Sequence, residues 1–388
     1  MAPQSLKRNR SLDAPETGRR LQVLHVGKFY PPHMGGIETH LETLCGELRK
    51  SVDVEVMVAN DDRSVIEETL DSVPVIRVPT WLAFASTPLC PSMVARIRAY
   101  RGDILHLHLP NPMAVVAYLA SGYRGRVVST YHGDAVRQKI LVPLFEPLLH
   151  RAMRRSSAII TTSDNYLRSS PVLAHHKERC HVIPLGIAID SFVRYDPVAA
   201  AAIRQQHGDR LIVSVGRLVY YKGFEYLIHA MTRVPGKLLI VGEGPLRNKL
   251  GALASELGVS ERVVFLGKID HDHLVACYHA AQVFVMASIA RSEAFGIAQI
   301  EAMASGLPVV NTSLDTGVPF VSLHGQTGLT VPPGDSDQLA AAINRLLDDP
   351  ELRATFGRAA ALRARQEFTV DVMAARTLSL YDQVTARA

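Results

Sequence analysis

Nowhere does this sequence hold an apolar run approaching the ~20 residues of a membrane-spanning helix, which argues against a helical channel or transporter. No apolar stretch follows the N-terminus, so no secretory signal is expected. Cysteine is scarce: Cys45, Cys90, Cys180 and Cys277 stand far apart, without the spacing of a zinc site. That usage fits reduced thiols in a cytoplasmic protein and argues against a disulfide scaffold. The dinucleotide fingerprint G-x-G-x-x-G is absent, which counts against NAD or FAD. The G-x-S-x-G elbow and the Ser-His-Asp order of a hydrolase are missing too. The net charge is +5, yet basic residues are not interleaved with aromatics, and no nucleic-acid motif appears. Nucleic acid is therefore not expected as a partner.

What is present is a two-part α/β pattern. A chain of 388 residues exceeds one ordinary core, so two domains are expected. Hydrophobic residues make up 47% and charged ones 20%, the balance of a soluble globular protein. Residues 1 to 19 are polar and aperiodic and read as a disordered basic tail, with Lys7, Arg8 and Arg10 adding charge. From Leu21 onward, short apolar runs alternate with helical stretches. They begin at Leu21, Val54, Val75, Ile104, Val127, Ala158 and His181. The pattern restarts at Leu211 and continues at Leu238, Val263, Val283 and Pro308. Strands alternating with helices signal parallel sheets with helical crossovers. The expected organisation is a Rossmann-like unit over residues 20 to 190 and a second over 191 to 370. A final helix over 371 to 388 is expected to return to the first unit. Ligands of such sheets bind outside the carboxyl ends of the strands, so two facing units make an interdomain cleft.

The candidate motifs sit at the ends of these strands. Glu293 and Glu301 lie eight residues apart, with Phe295 and Gly296 just after the first and an apolar stretch beyond. In one continuous helix they would stand ~12 Å apart, the span of an elongated polar ligand. The helix N-terminus would suit a phosphate. A diphosphate flanked by two sugars fits this layout. A Glu pair is often only a water-facing surface pair, but the apolar flank argues for a buried helix in which a Glu needs a partner. From Gly216 to Gly223, Arg217 and Lys222 bring a guanidinium fork and a mobile ammonium beside a glycine that opens a helix. Such a clamp stabilises a leaving diphosphate without a metal; two solvated surface charges are the alternative. Gly35-Gly36 before a helix, and Gly242-Glu243-Gly244 after a strand, either let backbone approach a ligand or make plain turns. His132 stands where it could meet a sugar or share in proton handling. His106 and His108 alternate on a strand, and no third residue has metal-ligand spacing, so hydrogen bonding is the favoured reading. Asp61-Asp62 reads as a polar loop.

Taken together, Gly35-Gly36-Ile37-Glu38, Val215-Gly216-Arg217-Leu218 with Lys222-Gly223, Val241-Gly242-Glu243-Gly244-Pro245 and Glu293-x7-Glu301 resemble the retaining family 4 glycosyltransferases of GT-B fold. The likeness runs from residue 21 to residue 385. The segment Asn311 to Asp335 is similar to bacterial enzymes of surface-polysaccharide assembly, O-antigen mannosyltransferases among them. The resemblance implies that Arg217 and Lys222 hold a nucleotide-sugar diphosphate, with Gly35, Gly36 and Gly216 close to it. It implies that Glu293 meets hydroxyls of the donor sugar, beside the backbone of Phe295, Gly296 and Ile297. Glu301 would bind the ribose, and His132 would lie near the reacting carbon. The base would sit by Gly242, Glu243, Gly244, Leu266, Gly267 and Lys268. No cofactor and no metal are implied, since the nucleotide-sugar is a substrate, and transfer would retain the anomeric configuration. GDP-mannose is the favoured donor. A UDP-sugar transferase of the same fold, an NDP-sugar 2-epimerase and a non-catalytic sugar-nucleotide-binding protein are alternatives.

On the acceptor side, Trp81, Phe84, Arg151, Arg154 and Arg155, with the apolar stretch 140 to 149, are expected to meet an anionic membrane surface. The acceptor there would be lipid-linked or an oligosaccharide. An ordinary core helix is the alternative for 140 to 149.

Overall fold

A computed structural model describes residues 19–33, 35–84, 87–134 and 142–386. In chain order its first half contributes strands β1 (Gln22–Val26), β2 (Asp53–Ala59), β3 (Ile66–Leu70), β4 (Val73–Val78), β5 (Leu82–Phe84), β6 (Thr87–Leu89), β7 (Ile104–Leu109), β8 (Arg126–Tyr131), β9 (Ala158–Thr161) and β10 (Cys180–Val182). The second half contributes β11 (Leu211–Val215), β12 (Lys237–Val241), β13 (Val263–Gly267), β14 (Val283–Val285), β15 (Val309–Thr312) and β16 (Gly328–Val331). The first sheet runs β10-β9-β8-β7-β1-β2-β4-β3 and the second β13-β12-β11-β14-β15-β16, while β5 and β6 form a separate hairpin. Strand pairs are parallel except β3 with β4 and β5 with β6.

These strands are apolar because both faces of each sheet are covered. Every residue of β7 is buried. Alternation divides the first sheet's side chains between two cores: Leu24, Met57 and Leu105 lie on one face, Val23, Val56 and Ile104 on the other. Each such side chain contributes roughly 1.5–3 kcal/mol by leaving water. The second sheet divides likewise, with Val213 and Leu239 on one face and Ile212 and Leu238 on the other.

The strands expected from sequence are present, with ends shifted by a few residues at most. Three features were not legible. β3 is a mostly exposed edge strand carrying Glu67 and Glu68, so it shows no apolar run. The β5–β6 hairpin and the short β16 are also additions.

Topology places the functional loops. Chain order reverses beside β1, which lies between β7 and β2, and beside β11, which lies between β12 and β14. In open α/β sheets such switch points are where ligands bind. The chain crosses between the sheets twice, side by side: Ile187 N–H donates to Phe368 O at 2.9 Å, and Val370 N–H donates to Ile187 O at 3.2 Å. The final helix, Val370–Ala386, packs on the Gly36–Leu48 helix and buries Met373, Leu380 and Tyr381 in the first sheet's core.

Candidate active site

The loops after β11 and β14 meet at one ion pair. Beyond Val215 the chain runs through a 3-10 turn at Tyr220–Lys222, and Gly223 then opens the Phe224–Ala230 helix. Gly223 takes φ +66°, and the Ala287 carbonyl leaves no room there for a Cβ. That close approach sets Lys222 against the β14 loop. Lys222 Nζ lies 2.5 Å from Glu293 Oε2, with the two side chains only 15% and 9% exposed. Ser288 Oγ donates to the same carboxylate oxygen at 3.2 Å. Burial pushes the Lys222 pKa down, but the charge and hydrogen bond of Glu293 outweigh it and hold the ammonium above its ordinary value.

The loops after β11 and β12 are packed back to back. Leu218 N–H donates to Glu243 O at 2.8 Å and Gly216 N–H to Val241 O at 2.9 Å. Gly242 has φ +130°, and a side chain there would strike the Gly216 carbonyl. Arg217, Glu243 and Lys268 are exposed at this edge, while Leu266 and Gly267 are half-buried. Arg217 has no ion-pair partner among the described residues, unlike Lys222.

Glu293 and Glu301 do not share a helix. The helix spans Ile297–Ala304, with Gly296 at φ +85° as its N-cap, and Glu293 lies in the preceding turn. The single-helix separation expected from sequence is therefore corrected: the left-handed Gly296 and the buried Phe295 redirect the chain between the two carboxylates. Both carboxylates have partners, as a buried Glu requires. Tyr278 Oη donates to Glu301 Oε2 at 2.7 Å. Burial raises the Glu301 pKa, and the Tyr278 hydrogen bond, His271 and Lys222 offset part of that rise.

The first sheet's loop after β8 meets the loop that carries Glu293. Gly35 caps the Gly36–Leu48 helix just beyond β1. His132 N–H donates to Leu109 O at 2.8 Å, and the ring is buried at 8% exposure. Burial, then His40, holds the His132 pKa well below the ordinary imidazole value, so the ring is neutral at physiological pH. Both expected roles stay open to a neutral ring: contact with a sugar hydroxyl, and a share in proton handling as an acceptor. Gly133 packs against Ala294, where an added Cβ would meet the Ala294 methyl at 3.5 Å. Asp134 pairs with Arg291 at 2.9 Å, and Arg291 also donates to Asp315 O at 2.8 Å. Ser169 Oγ donates to Asp315 O at 2.6 Å. The two halves thus touch across the cleft. Sequence reasoning assigned no role to Arg291, Tyr278 or Ser288. Only the place of Arg291, two residues before Glu293 in a loop after a strand, was available as a signal.

His106 and His108 are hydrogen-bonded: His106 Nε2 lies 2.7 Å from Thr130 Oγ1 and His108 Nδ1 lies 3.2 Å from His132 Nε2. Sequence spacing offered these two no third imidazole, but the fold brings His25, His40 and His132 to them.

On the acceptor side, Trp81 and Leu82 are exposed at 63% and 62% on the hairpin. Arg151, Arg154 and Arg155 are exposed on the helix Val142–Arg155. Val116, Leu119, Leu148 and Arg151 line a shallow groove of about 330 Å³ between this helix and its neighbour Pro112–Ser121. The stretch 140 to 149 divides: Leu149 is in the core and Leu148 faces out, while 140 and 141 and the Phe84 side chain lie outside the described residues. No helix among the described residues is long and apolar enough to cross a membrane.

Two family models match in chain order: Glycosyltransferase Family 4 over residues 34–191 and Glycosyl transferases group 1 over residues 199–363. The D-rhamnosyltransferase WbpZ of Pseudomonas aeruginosa is 32% identical over 90% of this chain and 92% of its own. O-antigen chain mannosyltransferase C of Escherichia coli is 31% identical over 93% and 98%. A GDP-mannose-dependent alpha-(1-6)-phosphatidylinositol monomannoside mannosyltransferase of Mycolicibacterium smegmatis is 32% identical over 86% and 91%. Among solved structures, sucrose-phosphate synthase from Thermosynechococcus elongatus superposes with TM-score 0.78 at 25% identity, covering 95% of this chain and all of that one. Matched along nearly its whole length, and built of two Rossmann-like domains with the motifs at facing loops, this chain belongs to the family 4 glycosyltransferases of GT-B fold.

Proposed function

We infer that this chain transfers a hexose from a nucleotide-sugar, with GDP-mannose favoured, to a lipid-linked or oligosaccharide acceptor in bacterial polysaccharide assembly. The observation that carries the reading is the Lys222–Glu293 ion pair, buried at the switch point of the second sheet with exposed Arg217 on the same loop. A fixed ammonium and a free guanidinium suit the two phosphates of a donor. The second oxygen of Glu293 is the natural acceptor for a hydroxyl of the donor sugar, and Glu301, oriented by Tyr278, suits ribose hydroxyls.

The acceptor hydroxyl would attack on the face from which the nucleoside diphosphate departs, through an oxocarbenium-like state, so the anomeric configuration is retained. The departing phosphate oxygen takes the proton. Arg217 and Lys222 stabilise the charge that develops there, which in this reading requires no divalent metal. Neutral His132 contributes a hydrogen bond near the reacting carbon. Neither carboxylate acts as a covalent nucleophile, unlike the pair in a retaining glycosidase.

Donor identity rests on the relatives, two of which are mannosyltransferases, one of them GDP-mannose-dependent. The rhamnosyltransferase relative favours a second reading in which the donor sugar is a 6-deoxyhexose. The exposed Trp81 and Leu82, the exposed Val116 and Leu148 beside Arg151, and the exposed Arg154 and Arg155 suit an anionic membrane surface carrying the acceptor. That surface would be the cytoplasmic face.

Thermal unfolding with a panel of GDP, UDP, ADP and their sugars, in chelator, tests the donor. A ligand at 100 Kd should add about 2.7 kcal/mol. Selective stabilisation by GDP and GDP-mannose is expected. Stabilisation by UDP compounds alone would overturn the donor, and by none of them the transfer reading itself.

A further inference from the structure

Beneath the cleft, five imidazoles lie together: His25, His40, His106, His108 and His132 are all buried. No one element supplies them. They come from β1, the Gly36–Leu48 helix, β7 and the loop after β8. Four are joined in a continuous hydrogen-bonded chain. His106 Nε2 lies 2.7 Å from Thr130 Oγ1, and His106 Nδ1 lies 2.5 Å from Tyr381 Oη. Tyr381 Oη is 3.3 Å from His25 Nε2, His25 Nδ1 is 3.0 Å from His108 Nε2, and His108 Nδ1 is 3.2 Å from His132 Nε2. His40 stands apart. It is 7% exposed, its ring centroid is 4.9 Å from that of His132 and 5.8 Å from that of His108, and neither ring nitrogen has a hydrogen-bond partner.

We propose that His40, His108 and His132 form a three-histidine site for a borderline-soft divalent metal, zinc by preference, whose occupation at His132 Nε2 fixes the ring proton on Nδ1, the nitrogen left to meet the donor sugar. Candidate ligand atoms of the three rings lie within 4.8 Å of one another. Zinc–nitrogen bonds of about 2.0–2.1 Å put two ligands of a tetrahedral site ~3.4 Å apart. The His108 Nδ1 to His132 Nε2 separation of 3.2 Å is already close to that edge. His40 supplies the third corner, and ligation gives one of its two orphan nitrogens a partner, where leaving it unsatisfied is costly. Three imidazoles and one open position make the protein half of a four-coordinate zinc site.

The hydrogen-bonded chain prepares His108 for this role. One consistent set of protons runs through it: His106 donates to Thr130, Tyr381 to His106, His25 to Tyr381, and His108 Nε2–H to His25 Nδ1. His108 Nδ1 then carries a bare lone pair facing His132 and His40. Ligating histidines are oriented in this way, by a hydrogen bond from the other ring nitrogen. The second triad, His25 with His106 and His108, is less suited, because every ring nitrogen in it is already bonded, whereas His40 brings two without a partner. His40 and His132 keep 7% and 8% of their surface while His108 keeps 1%, so a metal reaches the site from the side of His40 and His132.

Metal binding stands on the imidazoles alone; the effect on the sugar-facing nitrogen of His132 rests on the glycosyl-transfer reading. The full chain, stripped with chelator, is titrated with zinc by calorimetry and with cobalt(II) by visible absorption. One tight equivalent is expected, with cobalt bands of four-coordinate intensity. His40→Leu should weaken binding by more than about 10-fold, while His176→Ala, in the separate His150–His176 pair, should leave it unchanged. Because His40 makes no hydrogen bond, its replacement should fold, which the melting temperature checks. No saturable binding, or binding that survives His40→Leu, overturns the site. Turnover is then compared in chelator and in saturating zinc. At least a tenfold loss that His40→Leu relieves supports the fixed proton on His132 Nδ1. Unchanged turnover at full occupancy overturns that half alone. Activity in chelator separately reports whether transfer occurs.

Discussion

Lys222 and Glu293 neutralise one another, and that fixes what each substitution should do. Lys222→Ala removes a transition-state cation and strands a buried carboxylate. Turnover should fall on the order of 10²-fold or more, and urea unfolding should show a loss of about 3–5 kcal/mol. The double variant Lys222→Met with Glu293→Gln should recover much of the stability and none of the activity; recovery of turnover would exclude the clamp. Glu301 gives a pH signature. Its carboxyl is held above the ordinary 4.5 by burial, so just above that pH the folded chain keeps a proton that the unfolded chain releases. Stability from this group is full at low pH and falls as pH rises through the window up to the raised value. Glu301→Gln should flatten that fall in denaturation curves taken on either side of the window, while donor affinity drops. The pairing of the carboxylates was foreseen from their apolar flank. Their partners, Tyr278 and Ser288, were not, since each reaches its carboxylate only through folding.

At the scale of elements, glycine decides where the loops after β11, β12 and β14 can pack. Gly223, Gly242 and Gly296 all have positive φ, and each is pressed against a neighbouring loop or side chain. Their motifs were legible because only glycine allows such an approach. The acceptor side was legible only as a run of charge and apolar residues. In the structure Leu149 turns into the core, while Leu148 and the arginines of the Val142–Arg155 helix face outward. If that face meets lipid, the chain should float with anionic vesicles at low salt and release at high salt. The variant Arg151→Glu, Arg154→Glu, Arg155→Glu should remain in the soluble fraction, with donor binding unchanged. Wild-type chain that never floats would remove the membrane contact.

Across the whole molecule, contacts among the described residues join the halves on both sides of the cleft. Arg291 spans the cleft from Asp315 O to Asp134, and the paired crossings at Ile187 and Phe368–Val370 join the halves on the other side. Arg291→Met should open the cleft, seen as a larger radius of gyration by small-angle scattering, and should raise KM for the donor more than it lowers kcat; an unchanged radius would show that the bridge does not hold the closed form. By itself the sequence determined the two α/β halves, because buried parallel strands must be apolar runs and their turns need glycine. It also determined the donor-side motifs, because charge and glycine at strand ends are local features. The tertiary structure alone decided that Glu293 lies outside the helix of Glu301, that Arg291 meets Asp134, and that His40 faces His108 and His132. The left-handed backbone of Gly296 parts the two carboxylates, and the other two contacts join residues distant in sequence, where no local pattern of charge or hydropathy records which side chains a fold brings within hydrogen-bonding reach.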